Sequence, residues 1–181
     1  MEQVITKKAF DVKALVSAAL CIALGVALPQ IFHMIPVANA GSVLCPMHIP
    51  VLLCGFICGW QYGLVCGIAV PLLSSVITGM PPLFPVALCM VFELAAYGLL
   101  AGIFYRVLKW NEYVALIAAM LGGRVVMGIS SAIIYGAAGK GYGFQAFLSG
   151  AFITALPGII IQIVLIPVLV FALKKAKLFT K

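Results

Sequence analysis

The chain has 181 residues, 65% of them hydrophobic and 8% charged, with a mean hydropathy of +1.26. That balance excludes an ordinary soluble domain and predicts an all-α polytopic membrane protein: one bundle of six transmembrane helices over residues 1–181. The net charge of +7 does not call for nucleic acid, because nine of the eleven basic residues lie at the termini and in one short loop (Lys7, Lys8, Lys13, Arg106, Lys109, Lys174, Lys175, Lys177 and Lys181), the pattern that marks cytoplasmic segments.

A span needs roughly 20 apolar residues. The first runs Val12–Phe32. Lys7, Lys8 and Lys13 precede it, and Val37-Ala38-Asn39-Ala40 resembles a cleavage site. Pro29, His33 and Pro36 separate the two by too long a gap for a typical signal peptide, so the segment is expected to stay as a span. His33–Cys45 forms a loop containing Asn39 and Gly41. The apolar run Pro46–Gly79 is too long for one span and short for two. Gly59-Trp60-Gln61-Tyr62-Gly63 is expected to break it at an interfacial turn. The fourth span is Leu83–Tyr105, the fifth Tyr113–Tyr135 and the sixth Phe147–Leu173. Six spans put both termini and the Arg106–Glu112 loop in the cytoplasm; five would send that loop and the C-terminus outside. Gly55, Gly59, Gly63 and Gly67 recur every four residues and predict close packing of helices two and three.

Between Lys13 and Lys174 only six residues are charged, and of these Glu93 and Arg124 fall inside apolar runs. A charge at mid-membrane costs roughly 2.5–3.5 kcal/mol on insertion scales and ordinarily faces the protein interior with a partner. Counting from the span ends places both near mid-depth. The Arg124 face continues outward through Gly128, Ser131 and Tyr135, and the Glu93 face through Met90 and Val86. Gln162 lies at similar depth in the sixth span, with Gly158, Ala155 and Ala151 outward of it. An acid, a base and an amide around one axis suit a small polar ligand; they equally suit a structural ion pair. His33, Asn39 and His48 lie on or beside the outer loop, where they meet either a ligand or water. Ala14, Ala18, Ala19, Ala23 and Ala27 give three AxxxA spacings in the first span, a small-residue surface for core packing or for docking another membrane protein.

Other chemistry finds little support. The six cysteines include no CxxC, and none is matched by a carboxylate or histidine at metal-ligand spacing, so buried free thiols and no metal or cofactor are expected. There is no GxxxxGK[ST], HExxH or GxSxG motif; the chain is expected to be neither an ATPase nor an enzyme of another kind.

These features together resemble a known family. The six spans, AxxxA in helix one, the outer loop after it, and the block His48-Ile-Pro-Val-Leu-Leu-Cys-Gly-Phe-Ile-Cys-Gly, Met80-Pro-Pro-Leu-Phe-Pro and Phe92-Glu93-Leu resemble the substrate-binding S-components of energy-coupling factor (ECF) transporters. The block is most similar to the branch with pantothenate and hydroxymethylpyrimidine-type members. These are bacterial ABC importers for vitamins and their precursors. The resemblance implies a multi-pass protein of the bacterial cell membrane that binds a vitamin in its outer half, between the first loop and helices four to six. It also implies that the alanine surface docks a transmembrane T-component and that two separate ATPase subunits supply energy. The alternative left open by the residues is a stand-alone proton-coupled carrier or channel with Glu93 as the titrating group; a third is a membrane enzyme using Glu93 or a thiol.

Overall fold

The computed structural model describes residues 12–33, 40–139, 141 and 143–176. Among them the fold is entirely helical: α1 (Val12–His33), α2 (Ala40–Leu44), α3 (His48–Cys58), α4 (Trp60–Thr78), α5 (Leu88–Gly102), α6 (Glu112–Ala137), α7 (Phe144–Leu148) and α8 (Leu156–Lys175). Wider π turns adjoin α5 on both sides, at Leu83–Ala87 and Ile103–Val107, and a third, Ser149–Thr154, joins α7 to the approach of α8. Five helical segments are long and apolar enough to cross a membrane. The sixth, α3, has 11 residues and rises about 16 Å, roughly half of the ~30 Å hydrocarbon core. The second span is therefore shorter than its apolar run, because the first part of that run is spent on the irregular approach Cys45–Met47.

The expected break in Pro46–Gly79 is made by one residue. Gly59 adopts φ 97° and ψ 174°, a conformation that disfavours a side chain, and Trp60 to Gly63 already belong to α4. Arg106 Nη1 donates to the Ile57 carbonyl at 2.8 Å, satisfying a backbone acceptor that the end of α3 leaves open.

The glycine row brings α3 against α4, as its spacing predicts: a Cβ on Gly63 would stand 2.9 Å from the Gly55 Cα. It also opens a groove for α5. A Cβ on Gly55 would stand 2.5 Å from the Gly98 carbonyl oxygen. One on Gly63 would collide with the same carbonyl, one on Gly67 with that of Leu94, and one on Gly98 with that of Gly63. Gly102 meets the Trp60 backbone in the same way. A row of four-spaced glycines makes a groove, not a ridge, and α5 carries the matching small residues. Thus α5 lies at the centre, packed against α3, α4 and α6. Tyr97, Leu94, Phe56, Leu52 and Leu116 fill the core around it. All six cysteines are buried and none is in a disulfide; Cys54 contacts Cys21, Cys58 and Cys66. Among the described residues no group of three or more His, Cys, Asp or Glu is placed to hold a metal.

Outward-facing residues are apolar on every long helix: Val16 and Leu20 on α1, Val76 and Ile77 on α4, Val125 and Ile129 on α6, Val164 and Val168 on α8 are all exposed. In water such a surface would aggregate; against lipid tails it is the required one. The described bases Arg106, Lys109, Lys174 and Lys175 cluster at one end. There Lys174 pairs with Glu112 and lies 5.1 Å from the Tyr105 ring centre. Lys13 is at the start of α1, whose other end carries Pro29, so it too lies toward this basic end.

The glycine seam makes a sharp prediction. Gly98→Ala should destabilise the protein by about 1–3 kcal/mol or prevent folding, since the added methyl meets backbone that cannot move aside. Gly136→Ala, with nothing within 4 Å, should change stability by less than about 0.5 kcal/mol. Thermal unfolding of both variants in detergent, followed by tryptophan fluorescence, checks the contrast.

Candidate functional site

The groove that admits α5 decides where Glu93 goes. Glu93 lies five residues before Gly98 on the same helix, and the close approach of α3 and α4 leaves its side chain 3% exposed. Arg124 on α6 is 5% exposed and donates from Nη1 to Glu93 Oε1 at 2.9 Å. His48, the first residue of α3, places Nε2 3.3 Å from the same oxygen. One carboxylate oxygen thus receives a guanidinium and an imidazole from two other helices. Tyr97, one turn after Glu93, packs edge-on to the His48 ring at 5.1 Å and covers Gly123 beside Arg124. The aromatic ring thus packs against His48 and against the α6 backbone next to Arg124.

This trio forms the floor of a cavity of about 490 Å³, inside the 300–1,000 Å³ range of small-molecule sites. Each wall comes from a different element. Val86 and Met90 extend it from the Glu93 side, Met127 from the Arg124 side. Met80, Pro81 and Pro82 form a third wall. That loop is latched to α4 by Ser74 Oγ and Ser75 Oγ, which donate to the Met80 and Pro81 carbonyls at 2.8 Å each. Gly41 and the segment Cys45–His48 close another side, and Gly150, Thr154 and Ala155 contribute from the π turn before α8. Pro29 reaches the cavity from the end of α1. The cavity and the basic end of the bundle are thus on opposite sides.

The sequence-predicted residues divide by position. Glu93, Arg124 and His48 meet in the cavity floor. Gln162 is fully buried and does not line the cavity; its Nε2 donates to the Cys45 carbonyl at 3.4 Å, so it sits behind the wall. Tyr135 is not in the lining either. It is eleven residues beyond Arg124, about 16 Å along the helix, and the wall above Arg124 is instead made by Met127. Gly128, expected on the same face, seats the Phe147 ring 2.9 Å from its would-be Cβ. Asn39 and the side chain of His33 lie outside the described residues.

The alanine set also divides, and part of the docking expectation needs correction. Ala14 and Ala18 are buried in the core at 2% and 5% exposure, with Cys21 and Gly25 continuing their face against the bundle. Ala19, Ala23 and Ala27 are exposed. Five residues of helix rotate a side chain by about 140°, so the two alanine rows point to nearly opposite sides, and only the second is free to meet another protein.

Sequence reasoning missed the methionines Met47, Met80 and Met127 as cavity walls, and Tyr97 as the support of His48. Methionine in an apolar run reads as core, and only the Pro81-Pro82 interruption hints that chain there leaves the helix and lines a space.

Chemically, the arrangement offers hydrogen-bonding groups. Glu93 Oε1 is held as an acceptor by two neighbours, Arg124 and His48. Arg124 Nε and Nη2, His48 Nδ1 and Gln162 Oε1 are buried without hydrogen-bond partners among the described residues. No curated protein matches the sequence. The family model for the ECF transporter, substrate-specific component, matches residues 13–170, nearly the whole bundle. A multi-pass helical membrane fold with an enclosed polar floor is what a substrate-specific transporter subunit requires, and the chain belongs to the family of ECF transporter substrate-specific components.

Proposed function

We propose that this protein captures a water-soluble vitamin or vitamin precursor with high affinity in the Glu93–Arg124–His48 cavity and delivers it across the bacterial cell membrane as the S-component of an ECF-type ABC importer. The observation that carries this reading is the cavity itself: a 490 Å³ space whose floor holds buried, incompletely bonded polar groups in an otherwise apolar bundle. Unpaired buried donors are expensive in a protein that has no use for them.

Orientation follows from charge. The basic end belongs in the cytoplasm by the positive-inside rule, which puts both termini inside and opens the cavity outside, where a scavenged solute arrives. The chain has no GxxxxGK[ST] loop, so hydrolysis falls to two separate ATPase subunits. The T-component is assigned to the exposed row Ala19, Ala23 and Ala27, which lets a partner helix approach closely. Gln162 positions Cys45, and with it the segment that closes the cavity.

Three outcomes are expected. Calorimetry of the purified protein against a panel of vitamins should give one or a few tight binders. Glu93→Ala or Arg124→Ala should weaken them at least about thirtyfold, the effect of leaving a buried charge unpaired. Normal binding by both variants would place the site elsewhere. For stability, either single replacement should lower the unfolding temperature more than Glu93→Leu combined with Arg124→Met, because a lone buried charge is the costly state. For coupling, Ala23→Trp should keep ligand binding and lose uptake in cells that co-express the T-component and ATPases, whereas Ala14→Trp should fail to fold. Uptake by the isolated chain in liposomes would favour a stand-alone carrier instead.

A further inference from the structure

The unused hydrogen-bonding capacity of the floor has a definite shape. Arg124 gives Nη1 to Glu93 and leaves Nε and Nη2 buried with no hydrogen-bond partner. These two nitrogens form the side-on edge of the guanidinium, whose parallel N–H groups match the two oxygens of a carboxylate. Beside them, His48 lies within hydrogen-bonding distance of Glu93 through Nε2. A carboxylate only accepts, so the ring donates there, and in that tautomer Nδ1 presents a lone pair. That atom too is buried and has no hydrogen-bond partner. The floor therefore asks for a planar pair of acceptors and, close to it, one donor.

The remaining lining argues about the body of the ligand. Met47, Met80, Met90 and Met127 line the cavity together with Pro46, Pro81 and Pro82. Thioethers and proline rings suit a compact apolar or aromatic skeleton and offer few partners to a polyol. A cationic ligand would meet the guanidinium edge, while Glu93 Oε1 is already taken by two neighbours.

Resting on the reading of this cavity as the ligand site, we infer that the ligand is a small organic acid. Its single carboxylate sits on the Nε/Nη2 edge of Arg124, a nearby hydroxyl or amide N–H donates to His48 Nδ1, and an apolar skeleton lies against the methionines. Glu93 then does not contact the carboxylate. It orients Arg124 and His48, both of which line the cavity.

The test compares acids with their neutral counterparts on the unaltered protein in nanodiscs. Calorimetry would use pantothenate against panthenol, nicotinate against nicotinamide and biotin against biotin amide, with thiamine as a cation. In parallel, mass spectrometry would identify small molecules released from the purified chain on denaturation. The released compound should carry a carboxyl group, and the acid of the matching pair should bind roughly 10- to 100-fold more tightly than its neutral form, the loss expected for a hydrogen bond to a charged group. Arg124→Lys, which keeps the charge and loses the fork, should erase most of that discrimination. His48→Ala should weaken acid and neutral forms alike. A released compound without a carboxyl group, a neutral form binding within about threefold of its acid, or tight binding of thiamine overturns the carboxylate inference and leaves the cavity reading intact. No released compound and no binding by any probe overturns the cavity reading, and this inference with it.

Discussion

The Glu93–Arg124 pair, 2.9 Å long and almost fully buried, is the interaction on which the cavity half of the molecule depends. Neither residue is tolerable alone in an apolar bundle, and the pair does not fully compensate for removing both from water. Its persistence has to be explained by what surrounds it. The glycine seam Gly55, Gly63, Gly67 and Gly98 brings three backbones close enough that Glu93 cannot turn toward lipid. Tyr97 then fills the space between His48 and Gly123, so the imidazole and the guanidinium are both aimed at one oxygen. Small residues without chemistry of their own set the position of the residues that have it.

Two halves of the bundle are built on different rules. Toward the basic end, α3, α4 and α5 meet through glycines, and Arg106, on the π turn Ile103–Val107, ties the end of α3 to the segment after α5. Toward the cavity end, regular helix gives way to short helices, π turns and proline-containing loops: Leu83–Ala87, Ser149–Thr154, α2 and Met80–Pro82. π turns recur at functional sites because they rotate side chains out of the 3.6-residue register. Here the turn before α8 delivers Gly150 and Thr154 to the cavity wall. Close-packed backbone holds the floor still, and the walls come from segments with fewer backbone constraints.

Much of this was legible in the residues. The all-helical class, the six apolar segments and the coupling of Glu93 to Arg124 follow from hydropathy and from the cost of a lone charge, which leaves few placements. The alternation that put Met90 and Val86 on the Glu93 face also places them in the cavity wall. Other features depend on rotations that spacing alone does not determine. From Arg124, steps of three and four residues are equally good neighbours on a helix. The wall uses the step of three, to Met127, while Gly128 at the step of four packs under Phe147. The five alanines of α1 look like one surface in a list of spacings, yet a five-residue offset separates them into a core row and an exposed row. Gly59 makes its turn in one residue because glycine alone accepts φ 97° without strain, so a five-residue turn is unnecessary.

Specificity in such a site comes from what is left unpaired rather than from what is paired. In the proposed binding mode Glu93 Oε1 is already engaged by Arg124 and His48 before any ligand arrives, so its part in recognition is to hold those two neighbours. In that mode the discriminating atoms are the unpaired nitrogens of Arg124 and His48, each buried and therefore costly until a complementary group arrives. A ligand that satisfies them recovers that cost; a near-isostere that does not must leave them stranded, and discrimination of this kind exceeds what shape alone achieves in an apolar pocket. The methionines of the walls have the opposite property, since flexible thioethers adapt to different skeletons. The proposed site thus divides into a polar floor that meets a head group and flexible walls that meet the body, and the glycine seam beneath them carries neither task, so floor residues can differ without disturbing the close packing that holds them.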